Sequence, residues 1–201
     1  MKKRINNPKS RGLFEEDLYK LPVSDICGID EAGRGCLAGS LFVAGVVLQR
    51  EVIGVRDSKQ LKRNERYELY EEITNNSTFH IVQWSAGQVD SCGLSHCLRE
   101  SLRQIYEALN ARIYLFDGNT TFGAAGIAPV IKGDALFASI SAASILAKVS
   151  KDREMEALDT LYPAYGFAQN CGYGTRAHRE AILRHGYSNV HRKSFVLKNK
   201  H

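Results

Sequence analysis

The stretch ICGIDEAGRGCLAGSLFVAGVV, residues 26–47, decides how this chain is read. Residues 26–29 form a short apolar run and residues 41–47 a longer, β-branched one, and both predict strands. Between them two carboxylates, Asp30 and Glu31, leave the first strand and run straight into Gly33-Arg34-Gly35. A strand sends successive side chains to opposite faces, so Asp30 and Glu31 cannot both enter a core. The paired glycines permit close backbone approach to a ligand, and exposed N–H groups beside an arginine suit phosphate or hydroxyl oxygens. Gly33-x-Gly35-x-x-Ala38 also fits a relaxed dinucleotide-binding fingerprint. That motif must open a helix, however, whereas residues 40–48 read as strand, and Asp30 and Glu31 would repel a pyrophosphate.

Outward from this stretch the signals alternate. Residues 78–84 alternate apolar and polar and predict a third strand. Asn64 is placed to cap a helix over 65–73, and Leu94, Leu98, Leu102, Ile105 and Leu109 recur at helical spacing within 91–109. Short strands at 113–116 and 129–131 precede a long helix over 135–158. A Gly- and aromatic-rich connection, 162–174, reads as a hinge before a short basic helix at 175–185. Three successive strands followed by alternation predict a mixed α/β sheet of five strands flanked by helices. The division expected is a basic N-terminal segment (1–24), a catalytic core (25–161) and a small, basic, helical C-terminal appendage (162–201).

The 201 residues are 44% hydrophobic and 24% charged, a globular composition that argues against disorder along the chain. No apolar run approaches the ~20 residues of a membrane helix, and the basic N-terminus leads into no apolar segment of a secretory signal. Five cysteines (27, 36, 92, 97, 171) without a C-x-x-C pair suit reduced thiols in a cytoplasm. The net charge of +5 is unevenly spread. Residues 1–12 hold five bases and no acid, and residues 172–201 hold seven bases against Glu180. The body between them, with 15 bases and 21 acids, stands at −6. Basic ends suit a polyanion, and an acidic middle suits cations.

Two further acids stand at matching places. Asp117 ends the strand at 113–116 before Gly118-Asn119, and Asp134 follows Lys132-Gly133 ahead of the long helix. Singly, Asp117 is an ordinary turn former and Asp134 an ordinary helix N-cap. Together with Asp30 and Glu31 they make three strands that each end in a carboxylate beside glycine, where open α/β sheets place their sites. Four gathered carboxylates call for cations, and hard oxygen ligands suit Mg²⁺ or Mn²⁺. Two such ions ~3.5–4 Å apart can activate a water and stabilise the leaving oxygen of a phosphodiester. Lys132 offers a phosphate contact.

These segments, with 57–61 (DSKQL), Asp117-Gly118-Asn119, 132–134 through 144–149, Tyr165-Gly166-Phe167, Gly172-Tyr173-Gly174-Thr175 and His191-Arg192-Lys193-Ser194-Phe195, resemble in order the ribonuclease HII family from about residue 26 to 195. The resemblance implies a ribonuclease H-like sheet and cleavage of the RNA strand of RNA–DNA hybrids. It also implies nicking 5′ of single ribonucleotides in duplex DNA, with 3′-hydroxyl and 5′-phosphate ends. It places two divalent ions, Mg²⁺ or Mn²⁺, on Asp30, Glu31, Asp117 and Asp134. Gly33, Arg34 and Gly35 would contact the 2′-hydroxyl and phosphates, and Tyr173 would pack on the sugar beyond the ribonucleotide. The partner is hybrid or ribonucleotide-bearing duplex, without a membrane, and a monomer is expected.

Cys36 and Ser40 stand where the family commonly has proline, which is expected to loosen the loop there. Cys92, His96 and Cys97 read as packing residues on a helix, and His178 and His185 as solvated or phosphate-facing. Two other functions remain open on the residues alone: a non-catalytic nucleic-acid binder, and a nuclease or integrase that cuts DNA.

Overall fold

The computed structural model describes residues 20–55 and 61–195. The basic stretch 1–12, most of the motif at 57–61, and Lys198 and Lys200 lie outside the described residues. Five strands, β1 (Ile26–Ala32), β2 (Leu41–Leu48), β3 (Ser77–Trp84), β4 (Ile113–Asp117) and β5 (Ala128–Val130), form one sheet in the order β3-β2-β1-β4-β5. The first three make an antiparallel meander, while β4 runs parallel to β1 and β5 parallel to β4. The mixed sheet expected from three successive strands and a later alternation is the one observed.

Helices cover both faces: α1 (Arg63–Asn75), α2 (Ala86–Cys92), α3 (Leu94–Ala108), α4 (Ala138–Leu161), α5 (Phe167–Asn170) and α6 (Arg176–His185). On one face Cys27, Ile29, Leu41 and Val43 pack with Leu98, Leu102 and Ile105 of α3. On the other, Phe42, Ala44 and Val46 pack with Ala142, Ile145, Leu146 and Val149 of α4 and with Leu69 and Ile73 of α1. Each aliphatic side chain so buried contributes about 1.5–3 kcal/mol relative to exposure. α4 lies so close to β1 that a Cβ on Gly28 would sit 2.1 Å from the Ile140 nitrogen. No helix among the described residues is long and apolar enough to cross a membrane.

Several boundaries differ from the sequence reading. The segment read as one helix over 91–109 is two, broken at Gly93, whose φ of +81° ends α2. Ser85 opens α2 with a reciprocal cap, its hydroxyl accepting from the Gln88 N–H and its own N–H donating to the Gln88 side chain. α1 is capped at Lys62 rather than Asn64, where Glu65 accepts from the Lys62 N–H at 2.7 Å. Asp134 does not cap α4. It lies in a 3₁₀ turn, Gly133–Ala135, and the helix begins three residues later behind Phe137.

The C-terminal segment folds back onto the β1–β2 connection. Tyr165, Phe167 and Ile182 form an apolar cluster with Leu37, Ala38 and Met155. The aromatic run read as a hinge is thus in large part core packing.

Candidate active site

Because β4 is parallel to β1 with Ile29 beside Phe116, Asp30 falls next to Asp117, which ends β4. Asp30 and Glu31 do not leave β1 as expected but stay within it, opposite Ala44 and Val43 of β2. Asp117 Oδ1 accepts a hydrogen bond from the Gly133 N–H at 2.8 Å, which draws the 3₁₀ turn and Asp134 to the same sheet end. A Cβ on Gly133 would lie 2.6 Å from the Cδ1 tip of Ile140, which would have to turn aside. The neighbouring Lys132 is exposed on left-handed backbone (φ +58°) at the rim. Glu31 and Asp117 lie 86 positions apart in sequence and Asp117 and Asp134 lie 17 apart, and strand register with the Gly133–Asp117 hydrogen bond brings these segments to one part of the sheet.

Burial is the first cause that pushes the Asp30 carboxyl well above its usual range, followed by the charges of Glu31 and Asp117. The Ser144 hydroxyl and the Glu31 N–H, 2.7 Å from Asp30 Oδ1, oppose that shift by hydrogen bonding to the carboxylate. Burial also raises the Glu31 carboxyl, while Arg34, with Nη1 3.5 Å from Oε1, lowers it. Glu31 Oε2 is buried with no hydrogen-bond partner among the described residues. Among those residues no three Asp, Glu, His or Cys side chains already converge as one ligand group. Glu31 is turned to Arg34, and Asp117 is held by the Gly133 amide. Even so, a buried carboxylate oxygen lacking a donor beside mutually repelling acids is a fitting environment for a hard cation.

Of the four acids Glu31 lines a cleft of about 270 Å³, together with Ala32, Arg66, Ser144, Ile145, Lys148 and Tyr173. Ser144, Lys148 and Asp152 follow one another at four-residue spacing along α4. Lys148 Nζ meets Asp152 Oδ1 at 2.6 Å, and Arg66 approaches the other oxygen of Asp152 at 3.9 Å. Sequence reading assigned no role to this polar stripe, although its spacing through an otherwise apolar helix is a legible signal. Tyr173 stands at the cleft, 44% exposed. Burial of its hydroxyl side and the neighbouring Cys36 thiol push its pKa up to about 12, so it stays a neutral phenol at working pH.

The loop 33–40 is tightly held. Gly33 has a φ of +90°, and a Cβ there would strike the Ser40 carbonyl and the Lys151 side chain. The Leu37 and Ala38 N–H groups both donate to the Gly172 carbonyl, and Ser40 donates to Glu154 through its N–H (2.8 Å) and its hydroxyl. Cys36 is buried, its thiol 3.4 Å from the Cys171 carbonyl. Hydrogen bonds thus fasten the loop at Cys36, Leu37, Ala38 and Ser40. Gly35 differs from Gly33: its φ is unremarkable for any residue, and a Cβ would meet nothing within 4 Å. Nothing in the fold demands glycine there.

Two expectations about the basic C-terminal residues are corrected. His178 is fully buried, with Nδ1 2.9 Å from the Tyr173 carbonyl and Nε2 3.0 Å from His191 Nε2. Since a carbonyl only accepts, His178 Nδ1 is the donor, and His191 Nε2 then donates to His178. Arg192 is likewise fully buried. Arg176, Arg184 and Lys193 remain exposed.

A family model described as ribonuclease HII matches residues 27–198. The ribonuclease HII of Sulfurovum sp. (strain NBC37-1) is 49% identical over 173 residues, covering 86% of this chain and 92% of that protein. The ribonuclease HII of Campylobacter concisus (strain 13826) is 51% identical over 178 residues, 89% of this chain and 96% of that one. Among solved structures, ribonuclease HII of Archaeoglobus fulgidus in its complex with PCNA superposes with a TM-score of 0.75 at 28% identity, over 88% of this chain and 97% of that one. With the five-stranded mixed sheet as observed, this chain belongs to the ribonuclease HII family and is a ribonuclease H, an endonuclease acting on the RNA strand of RNA–DNA hybrids.

Proposed function

We propose that this protein, besides cutting the RNA strand of hybrids, nicks duplex DNA on the 5′ side of a single embedded ribonucleotide, leaving 3′-hydroxyl and 5′-phosphate ends. What supports the reading is the acids around Asp30, the open backbone at Gly35 a few residues further on, and the half-exposed ring of Tyr173, which with Glu31 lines the cleft. The first can hold cations, the second can approach a 2′-hydroxyl closely, and the third offers an apolar face that rewards a sugar lacking that hydroxyl.

Asp30, Glu31, Asp117 and Asp134 are the residues we assign to two divalent ions, Mg²⁺ or Mn²⁺. Ions so bound supply charge neutralisation at the scissile phosphate and a water of lowered pKa. The remaining work belongs to the chain. Ser144 orients the Asp30 carboxylate. Arg34, only 3.5 Å from Glu31 and about half exposed, is free to trade that contact for a phosphate when the acids take up cations. Lys132, and Lys148 and Arg66 along the cleft, offer further phosphate contacts. The exposed bases of the appendage from residue 162 on, Arg176, Arg184 and Lys193, hold the duplex backbone without reading sequence. We assign the protein to the cytoplasm as a monomer.

The deciding experiment incubates the protein with Mg²⁺ or Mn²⁺ and a labelled duplex bearing one ribonucleotide, beside an all-DNA duplex and an RNA–DNA hybrid. A single nick 5′ of the ribonucleotide and an intact DNA control are expected. Cutting of the hybrid alone would overturn the proposal. Gly35→Ala should leave the melting temperature within a degree or two while weakening cleavage of the single-ribonucleotide duplex about tenfold, because the new methyl group displaces substrate rather than protein. Loss of melting temperature with wild-type cleavage would contradict that. Tyr173→Ala should cost the single-ribonucleotide substrate about tenfold more than the hybrid, which offers no deoxyribose at that place, the loss being one stacking contact. Equal losses on both substrates would remove the junction-sensing role.

A further inference from the structure

We propose that Arg192 is a positioning residue for ribonucleotide recognition: from beneath the loop 33–40 it holds the Arg34 carbonyl inward and thereby turns the Gly35 N–H outward to the substrate. The inference rests on the reading of that loop as the part that meets the 2′-hydroxyl.

Arg192 comes from the basic C-terminal segment yet has no exposed surface. Its Nη1 donates to the Arg34 carbonyl at 3.2 Å, and its Nε and Nη2 both donate to the Gly39 carbonyl at 3.1 and 3.0 Å. Among the described residues these carbonyls take all of its side-chain hydrogen bonds. The backbone beside it reinforces the grip. The Arg192 N–H donates to the Leu37 carbonyl at 2.7 Å, the Gly39 N–H donates to the Val190 carbonyl at 2.9 Å, and Ala38 bridges to His191. The guanidinium thus spans the loop from Arg34 to Gly39 in one planar fork. A second buried cation, Lys151, lies under the same loop, with Nζ 3.3 Å from the Ser40 carbonyl.

The consequence follows from peptide geometry. The peptide between Arg34 and Gly35 is trans and planar, so its C=O and N–H point in opposite directions. An Arg34 oxygen anchored on a buried guanidinium leaves the Gly35 N–H aimed away from the interior. Gly35 is exposed, and among the described residues no group accepts from its N–H. The Gly35 Cα beside that donor is equally uncrowded, since a Cβ there would meet nothing within 4 Å. Recognition of a 2′-hydroxyl by a backbone N–H depends on this aim, and the aim depends on a side chain in the last tenth of the sequence. A lysine at 192 would keep the charge but lose the fork, and could not hold both carbonyls.

The test measures, in Mg²⁺, the KM for the single-ribonucleotide duplex and the inhibition constant of the all-DNA duplex of the same sequence. The inhibition constant divided by the KM reads recognition of the one hydroxyl. Arg192→Lys should lower that ratio about tenfold, the worth of one well-aimed hydrogen bond, and leave the all-DNA constant within about twofold. A stably folded Arg192→Lys protein with the wild-type ratio would overturn the role of Arg192. Should that variant fail to fold, Asp90→Ala carries the test. Asp90 on α2 accepts from the Lys193 N–H (2.7 Å) and the Ser194 N–H (3.1 Å), so its loss loosens the Arg192 segment from the surface. A fall in the ratio of about threefold is expected there, corresponding to a weakened rather than a lost contact, and no fall would overturn the inference. A wild-type ratio near one would overturn the reading of the loop, and this inference with it. A wild-type preference that survives Arg192→Lys overturns only the part assigned to Arg192.

Discussion

Asp30→Asn should lose cleavage by roughly 10³-fold while the protein folds and still binds a hybrid, because loss of a ligating carboxylate removes ~4 kcal/mol of charge stabilisation at the reacting phosphate. The same substitution should raise the melting temperature in metal-free buffer at neutral pH. The Asp30 carboxyl holds its proton well above the ordinary value of 3.8, through burial and then through the charges of Glu31 and Asp117. A carboxyl shifted in that direction favours the folded state fully below its ordinary pKa. That contribution is lost as pH rises through its folded value, since the buried group must then ionise. Asparagine has the same shape, keeps an acceptor for the Ser144 hydroxyl and carries no charge, so that cost disappears. The combined signature, higher stability with lost activity, separates a functional carboxylate from a structural one. Steady-state cleavage of a labelled hybrid and thermal melting in EDTA measure the two halves. A variant that melts lower, or that still cuts at the wild-type rate, would sink the assignment of Asp30.

Gly28→Ala should fail in the opposite way, losing ~3 kcal/mol or more of stability and with it all activity. The added Cβ would sit 2.1 Å from the Ile140 nitrogen and 2.1 Å from the Ser139 carbonyl carbon. Both are backbone atoms in the first turn of α4, and a helix backbone cannot step aside as a flexible side chain can. α4 would have to lift off β1, separating Ser144 from Asp30 and opening the face on which Ala142, Leu146 and Val149 are buried. Denaturant unfolding compared with the wild type gives the measurement, and a change below ~1 kcal/mol would show that α4 accommodates the methyl group. Gly28 and Gly35 stand seven residues apart in one glycine-rich stretch. Substitution of the first should break the fold, and substitution of the second only the encounter with substrate.

That contrast marks where reading along the chain stops. Strands 1 and 2, the amphipathic face of α3 and the acid ending β4 were legible, because strand and helix periods and turn residues are local properties; that β1 runs on through Asp30 and Glu31 to Ala32 was not. The same holds for the resemblance carried by GIDEAGRG and the segments after it. Boundaries were less so. Gly93 divides one periodic apolar pattern into two helices because the left-handed backbone there is a local choice that the pattern of apolar residues does not record. Asp134 looked like a helix cap because an acid before a helix usually is one. The Gly133 amide bonded to Asp117 puts it instead in a turn at the sheet end, a contact made across 16 residues.

The chain alone thus nominates the residues to which we assign the chemistry: Asp30, Glu31, Asp117 and Asp134, and Gly33-Arg34-Gly35 beside the first two. Tertiary structure decides which way each of them faces. Whether a base in the C-terminal segment meets solvent or the interior cannot be read from its neighbours in sequence, and Arg176 and Arg192 look alike there. One is exposed, and the other is buried against the Arg34 carbonyl across 158 residues. The difference is physical. A guanidinium can leave water only where several carbonyls are already converged to receive it, and that convergence exists only once β1, its loop and the C-terminal segment have packed together.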